Sequence, residues 1–312
     1  MKTLTTLENA ITRVHEASAR HHDDVVAIQD MEFMNLEQMT IAGQPFEVLP
    51  SAQRLLANRL RVPYSYLVRC PQDLQQSNLQ YWLDQERLNR QTLFCRFDGQ
   101  SIRAVFTERY TALDHMEVLT QMLQYGFDPA GEVRFSLDRE IMVLQVPEPA
   151  GAFGLSERDR IIPGISIANS EVGVLALSIE AFFFRLVCSN GLIDKTAVDA
   201  RFKHISRKAM DQFPLVLEGV VSRSRSGRDR FLVSTQTPVS NPESSIDTFA
   251  RQFQLTREEA DIVKQAYYLE QGGTMFHVIN AFTRAAKDPA LSPTDAYRLE
   301  KAGGHILGMV KS

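Results

Sequence analysis

Cysteine is scarce in this chain: Cys70, Cys95 and Cys188 are the only three in 312 residues. They are too few and too scattered to form a disulfide framework, and no CxxC pair exists to suggest a redox or zinc motif. No HxxxH or HExxH occurs, so no helix presents two histidines to a metal ion. GxxxxGK[ST] and GxGxxG are both missing, which argues against an NTPase or a dinucleotide enzyme. No pair of acidic residues is spaced as a metal-dependent nuclease would need. Long apolar runs are absent too, and a membrane-spanning helix needs about 18 or more such residues. The opening stretch, MKTLTTLENAITRVHEASARHH, has neither an apolar core nor a small-residue cleavage site, so it does not read as a signal peptide. The expectation is a cytoplasmic protein without cofactor, metal or membrane partner.

What is present is an ordinary globular composition, 44% hydrophobic and 23% charged, long enough for one large domain or two common ones. A formal charge of -4 argues against a protein that coats nucleic acid by charge alone. The charge is uneven, however. Between Arg201 and Phe231 stand eight basic residues, Arg201, Lys203, Arg207, Lys208, Arg223, Arg225, Arg228 and Arg230, against Asp211, Glu218 and Asp229. A basic segment on an acidic chain says more than the total does.

Periodicity divides the chain. Thr3 to Ala19 reads as a helix, with Leu7, Ile11 and Val14 at helical spacing. Val25 to Ile28 and Phe46 to Leu49 read as short strands. A helix follows from Pro50 to Leu60, with Ser51 as its cap, and another spans Gln72 to Asn89. Leu93 to Phe97 and Ser101 to Phe106, joined by Asp98-Gly99, form a hairpin because Asp-Gly suits a two-residue primed turn. Asp114 caps a helix to Gln124, a second hairpin runs from Val133 to Val146, and Val198 to Met210 reads as a helix. From Ser245 onward the pattern is helical, with Thr256-Arg257-Glu258-Glu259 opening a capping box. The predicted fold is α+β: an antiparallel sheet of hairpins with packed helices and helical N-terminal and C-terminal segments. The expected divisions are 1–90, mostly helical with short strands; 91–221, the α+β core; 222–245, a flexible basic arm; and 246–312, helical.

The stretch from Arg160 to Asp194 carries the sharpest pattern. It alternates as a strand, breaks at Asn169-Ser170-Glu171-Val172-Gly173, and alternates again to Cys188. Leu175, Leu177, Ile179, Ala181, Phe183 and Arg185 share one face of the second strand by the period-2 rule. A guanidinium closing an apolar face must be paired, because an unpaired buried charge is too costly. Glu171, Asn169 or a carbonyl of the Ser189-Asn190 turn are the candidates, Glu171 first because a carboxylate grips a guanidinium at two points. Polar residues therefore gather at both ends of the hairpin: Asn169, Ser170 and Glu171 at the turn, Arg185, Cys188, Ser189 and Asn190 at the exit, where Gly191 completes an Asn-Gly turn.

GISIANSEVGVLAL followed by RLVCSNGL resembles the signature of phage/plasmid-like proteins grouped as a domain of unknown function. Two flanking runs agree: Thr107-Glu108-Arg109-Tyr110-Thr111-Ala112-Leu113-Asp114, and Tyr297-Arg298-Leu299-Glu300-Lys301-Ala302-Gly303-Gly304. The likeness spans roughly residues 45 to 310 and implies a mobile-element context. It implies no catalytic residues.

Other constellations have plainer explanations. Gln53, Ala57, Arg61, Val62 and Leu67 fall where a helix-turn-helix packs, but Arg61 holds the position that prefers glycine, so an ordinary helical hairpin is the simpler reading. His21-His22-Asp23-Asp24 offers metal-capable side chains in a row, yet adjacent residues rarely converge on one ion, and a solvated helix end is expected. Cys188 lacks a base in any recognisable motif, so a packed thiol before an Asn-Gly turn is expected rather than a nucleophile. The sequence therefore points away from an enzyme. It points to a DNA-associated protein, binding or annealing single strands through Lys203, Arg207, Lys208, Arg223, Arg225, Arg228 and Arg230. The alternative is a counter-defence factor that binds a host protein and no nucleic acid. Self-association into a homo-oligomer stays open.

Overall fold

The computed structural model describes residues 3–154, 160–185, 190–194, 200–202 and 227–310. Two sheets organise them. The first has eight strands, ordered β1-β8-β9-β11-β12-β13, with β10 pairing β11 and β14 pairing β12. Its members are β1 (Thr3–Thr6), β8 (Glu132–Leu137), β9 (Met142–Pro147), β10 (Phe153–Gly154), β11 (Arg160–Asn169), β12 (Leu177–Arg185), β13 (Asn190–Asp194) and β14 (Ala200–Phe202). The second has six strands, ordered β2-β6-β7-β5-β4-β3. These are β2 (His21–Ala27), β3 (Met31–Phe33), β4 (Gln38–Ile41), β5 (Gln44–Val48), β6 (Thr92–Asp98) and β7 (Ser101–Phe106). Only β5 and β7 run parallel among these pairs. The α+β class with antiparallel-dominated sheets is what the hairpin pattern predicts.

Helices cover both sheets. Helices α1 (Leu7–Ala17) and α5 (His115–Gln124) share the core of the first sheet, packing Leu7, Val14, Val118 and Met122 with Phe135, Leu144 and Ile167. Helices α2 (Pro50–Arg59), α3 (Tyr64–Leu67) and α4 (Gln72–Asn89) bury Leu56, Leu67, Leu79 and Leu83 on the second sheet. The C-terminal helices α6 (Gly227–Gln236), α7 (Pro242–Gln252), α8 (Arg257–Leu269), α9 (Met275–Ala285) and α10 (Pro293–Met309) extend the first core. Among the described residues no helix is long and apolar enough to cross a membrane.

Four local expectations change. Thr3–Thr6 is a strand, not the first turn of a helix: it pairs with β8, and Thr6 becomes the cap of α1 by accepting from the Asn9 N–H at 3.2 Å. His21-His22-Asp23-Asp24 lies in β2 along β6, because a sheet edge supplies the partner that periodicity in one short run cannot reveal. Ala200–Phe202 pairs with β12 as a strand where a helix was expected. Gly227–Gln236 is a helix inside the segment read as a flexible arm, anchored by Phe231 against Phe153 and Phe183. In addition, β6 and β7, grouped by sequence with the central core, complete the sheet of the N-terminal strands. The capping box at Thr256 and Glu259 forms as its residues suggest.

The predicted face of β12 holds: Leu177, Ile179, Ala181 and Phe183 all enter the first core. Arg185 follows them but does not meet Glu171. It pairs with Glu270 at 2.8 Å and lies over the Phe276 ring, 4.7 Å from its centroid. The turn and the exit are opposite ends of the hairpin, so one guanidinium cannot span them. Glu270 also accepts from Asn280 at 2.6 Å and sits 3.5 Å from Arg284. Because Glu270 keeps those two neighbours, Arg185→Ala should destabilise by about 1.5–3 kcal/mol, the worth of a charged hydrogen bond. A thermal melt checks it; an unchanged midpoint would mean that Arg185 does not tie β12 to the C-terminal helices.

Candidate functional site

The turn between β11 and β12 brings the two sheets together. Glu171 is 4% exposed, and its carboxylate is divided between two elements. One oxygen pairs with the guanidinium of Arg103, on β7 of the second sheet. The other accepts the His115 N–H, at the first residue of α5, at 2.8 Å. A carboxylate at a helix N-terminus also meets the positive end of the helix dipole. Burial alone would raise the Glu171 carboxyl. His115, Arg103 and their hydrogen bonds outweigh it and hold the group down at about 2.

Each neighbouring residue of the motif has its own task. The Asn169 amide donates to the Leu113 carbonyl and to His115 Nδ1, both at 3.0 Å. That acceptor role places the proton of the neutral His115 ring on Nε2. Burial pushes the ring down to about 4, against the opposing pull of Glu171. The Ser170 hydroxyl donates to the Glu140 carbonyl at 2.7 Å and accepts from the N–H groups of Val172 and Val174 at 3.3 and 3.1 Å. Gly173 has φ of +79°, and a Cβ there would sit 2.9 Å from Phe106 Cε1. Only glycine takes that conformation and approach without strain.

Arg96 completes the joint. Its Nε donates to Asp23 at 2.9 Å, its Nη1 to the Glu171 carbonyl at 3.2 Å, and its Nη2 to Asp114. Burial opposes the charge, but Asp114 and Asp23 more than offset it and raise the guanidinium further. Asp114 is therefore the N-cap of α5 by position while its carboxylate serves Arg96; Glu171 takes the helix N–H instead. Ser51 likewise does not cap α2: its hydroxyl donates to Glu140 at 2.8 Å.

Behind this joint lies a cavity of about 470 Å³. Its walls take in Val14, Leu49, Pro50 and Leu137, with His21, Arg103, His115 and Glu171 at the polar side. His21 is half-buried, its Nδ1 3.7 Å from the Glu171 carboxylate. Burial, with help from Arg103, lowers the His21 ring. Among the described residues, no three of His, Cys, Asp and Glu cluster to hold a metal ion.

A second depression, about 510 Å³, lies between α2, α4 and β7. It is lined by Asn58, Arg59, Arg61, Trp82, Gln85 and Glu86 among others. Trp82 is 45% exposed and meets Tyr81 edge-on at 5.1 Å. Arg61 has φ of +57° where α2 ends. The Val62 N–H reaches the Ala57 carbonyl at 2.9 Å and the Arg61 N–H reaches the Asn58 carbonyl at 3.2 Å. This is a Schellman ending with arginine in glycine's place.

The sequence-predicted residues divide accordingly. Asn169, Ser170, Glu171 and Gly173 come together in the joint. Arg185 sits at the far end of β12, where Asn190 and Gly191 open β13 opposite Arg185 and Phe184. Tyr110 stacks on Phe106 at 3.8 Å, its hydroxyl pushed up to about 12 by burial, and Arg109 is exposed. Arg230 is half-buried on α6, and Arg228 falls in the first turn of that helix. Lys203, Arg207, Lys208, Arg223, Arg225 and Cys188 lie outside the described residues. Sequence reading missed Arg96, Arg103 and His115, and took His21 for part of a solvated helix end. Arginine alternating inside the apolar β6–β7 hairpin was the available signal.

Two outcomes follow. Glu171→Gln should cost about 3–5 kcal/mol, because it leaves Arg103 buried without its counter-charge; a melt within 1 kcal/mol (roughly one ordinary surface change) would refute that role. His115 takes a proton at 6.5 when unfolded but only at about 4 when folded. Its contribution is thus complete above the unfolded value and is lost as pH falls from there towards the folded one. At about pH 5 the loss should be about 2 kcal/mol, and His115→Gln should flatten the slope between neutral pH and that point.

A family model described as a domain of unknown function (DUF932) matches residues 103–295. Searches of curated proteins and of solved structures each returned no match. The matched span opens at Arg103 and takes in His115, the whole NSEVG turn, Arg185 and Glu270. With more than half of its 312 residues matched, the chain belongs to the DUF932 family.

Proposed function

We propose that this protein binds single-stranded DNA, as part of the replication or recombination of a phage, plasmid or related mobile element. The observation that carries the reading is the groove between α2, α4 and β7, where half-exposed Trp82 lies beside Arg59 and Arg61. Sequence-tolerant binding of single strands needs aromatic faces for bases and cations for the backbone. Arg59 is partly spent on Glu86, 3.7 Å away, which leaves Arg61 as the better phosphate contact. The basic residues from Lys203 to Arg230 supply the remaining charge in this reading. A second reading, a host-protein partner without DNA, draws on the apolar exposure of Val68, Tyr81 and Leu88 at 55%, 57% and 78%.

Trp82 is the only tryptophan in the chain, so its fluorescence reports on the groove alone. Titration with oligo-dT at low salt should quench it, and the affinity should fall steeply as salt rises. Trp82→Ala should weaken binding about tenfold, within the usual worth of one stacked base. Arg61→Gly separates binding from folding: it relieves the left-handed residue, adding ~1 kcal/mol of stability, and yet should lose affinity. No quenching and no retention of oligo-dT at low salt would overturn the proposal. A stoichiometric host protein surviving nuclease treatment in a pull-down would then support the second reading.

A further inference from the structure

We propose that the cavity between the two sheets binds an uncharged nucleoside. It shares no lining residue with the groove assigned to DNA, so the two readings stand or fall separately. At about 470 Å³ it has the size of a small-molecule pocket.

Charge decides the ligand class. Asp98, Asp138, Glu140 and Glu171 line the space, as do Arg103 and Arg139. Three of the carboxylates already have cationic partners: Glu171 with Arg103, Glu140 with Arg54, and Asp98 with Arg20. Counting Arg139 with those partners, four cations stand against the four carboxylates, so a ligand charge of either sign would have to compete with a partner already in place. A neutral molecule avoids both costs.

The available hydrogen-bonding groups then specify its edges. Asp138 uses Oδ1 to accept the Glu140 and Ile141 N–H groups, both at 2.7 Å, and His21 contributes a ring nitrogen. These are acceptors, suited to sugar hydroxyls and exocyclic amino groups. The cavity also carries the apolar side chains of Val14, Leu49, Pro50 and Leu137, which suit the faces of a flat heterocycle. A nucleoside combines the two: hydroxyl and amino donors on an apolar ring.

Calorimetry on the full chain with adenosine, guanosine, cytidine and uridine tests the proposal. At least one should bind and raise the melting temperature, while its 5′-monophosphate should bind about tenfold more weakly because it adds charge beside the carboxylates. Ala17→Trp, at an exposed position on the cavity wall, should abolish that binding while the free protein melts normally. His21→Ala should weaken it. The proposal is wrong if none of the four binds at millimolar concentration, if the monophosphate binds as tightly, or if Ala17→Trp binds unchanged. None of these results depends on oligo-dT binding.

Discussion

One buried carboxylate holds the two halves of this molecule in register. Glu171 projects from a turn of the first sheet, pairs with Arg103 on the second, and caps α5 through the His115 N–H. Its own carbonyl accepts from Arg96, which in turn grips Asp23 and Asp114. Such a buried ionic joint is weak evidence of net stabilisation, because desolvation offsets much of the attraction. What it provides is geometry. Apolar surfaces can slide, whereas a carboxylate satisfied by one guanidinium and one helix N–H fits in a single arrangement. The cavity lies beside that joint, walled by residues of α1, β2 and the start of α2.

The C-terminal motif does similar work on the opposite face of the first sheet. Tyr297 on α10 donates to Glu180 at 2.9 Å, and Lys301 pairs with the same carboxylate at 2.8 Å. Glu300 accepts from Gln145 at 2.9 Å. Residues 297, 300 and 301 share a helix face at the spacing that puts side chains over one another. Thus Tyr297, Glu300 and Lys301 read as a docking face, and their partners are polar residues buried within strands. The NSEVG turn and the YRLEK helix, far apart in sequence, secure the same sheet from its two sides.

Much of this was legible locally. The hairpins over residues 92–106, 132–147 and 160–185, the capping box at Thr256 and the buried face of β12 all follow from alternation and turn chemistry. So does the presence of a polar cluster at Asn169, Ser170 and Glu171. The flanks misled where partners are distant: Thr3–Thr6 and Ala200–Phe202 become strands because β8 and β12 offer them free edges. Gly227–Gln236 becomes a helix because Phe231 finds two aromatic neighbours. Short polar-rich runs carry too little local preference to resist such contacts.

The sequence by itself determined which residues had to be satisfied: an arginine on an apolar strand face, and a carboxylate and an amide where the alternation breaks into a turn. Only the tertiary structure decided with whom. Arg185 went to Glu270 and Glu171 to Arg103, because opposite ends of one hairpin cannot meet and each was left to the nearest charge from another element. The cost of an unpaired buried charge is a local property of the residue, written in the chain. The identity of its partner depends on how the sheets and helices close over it.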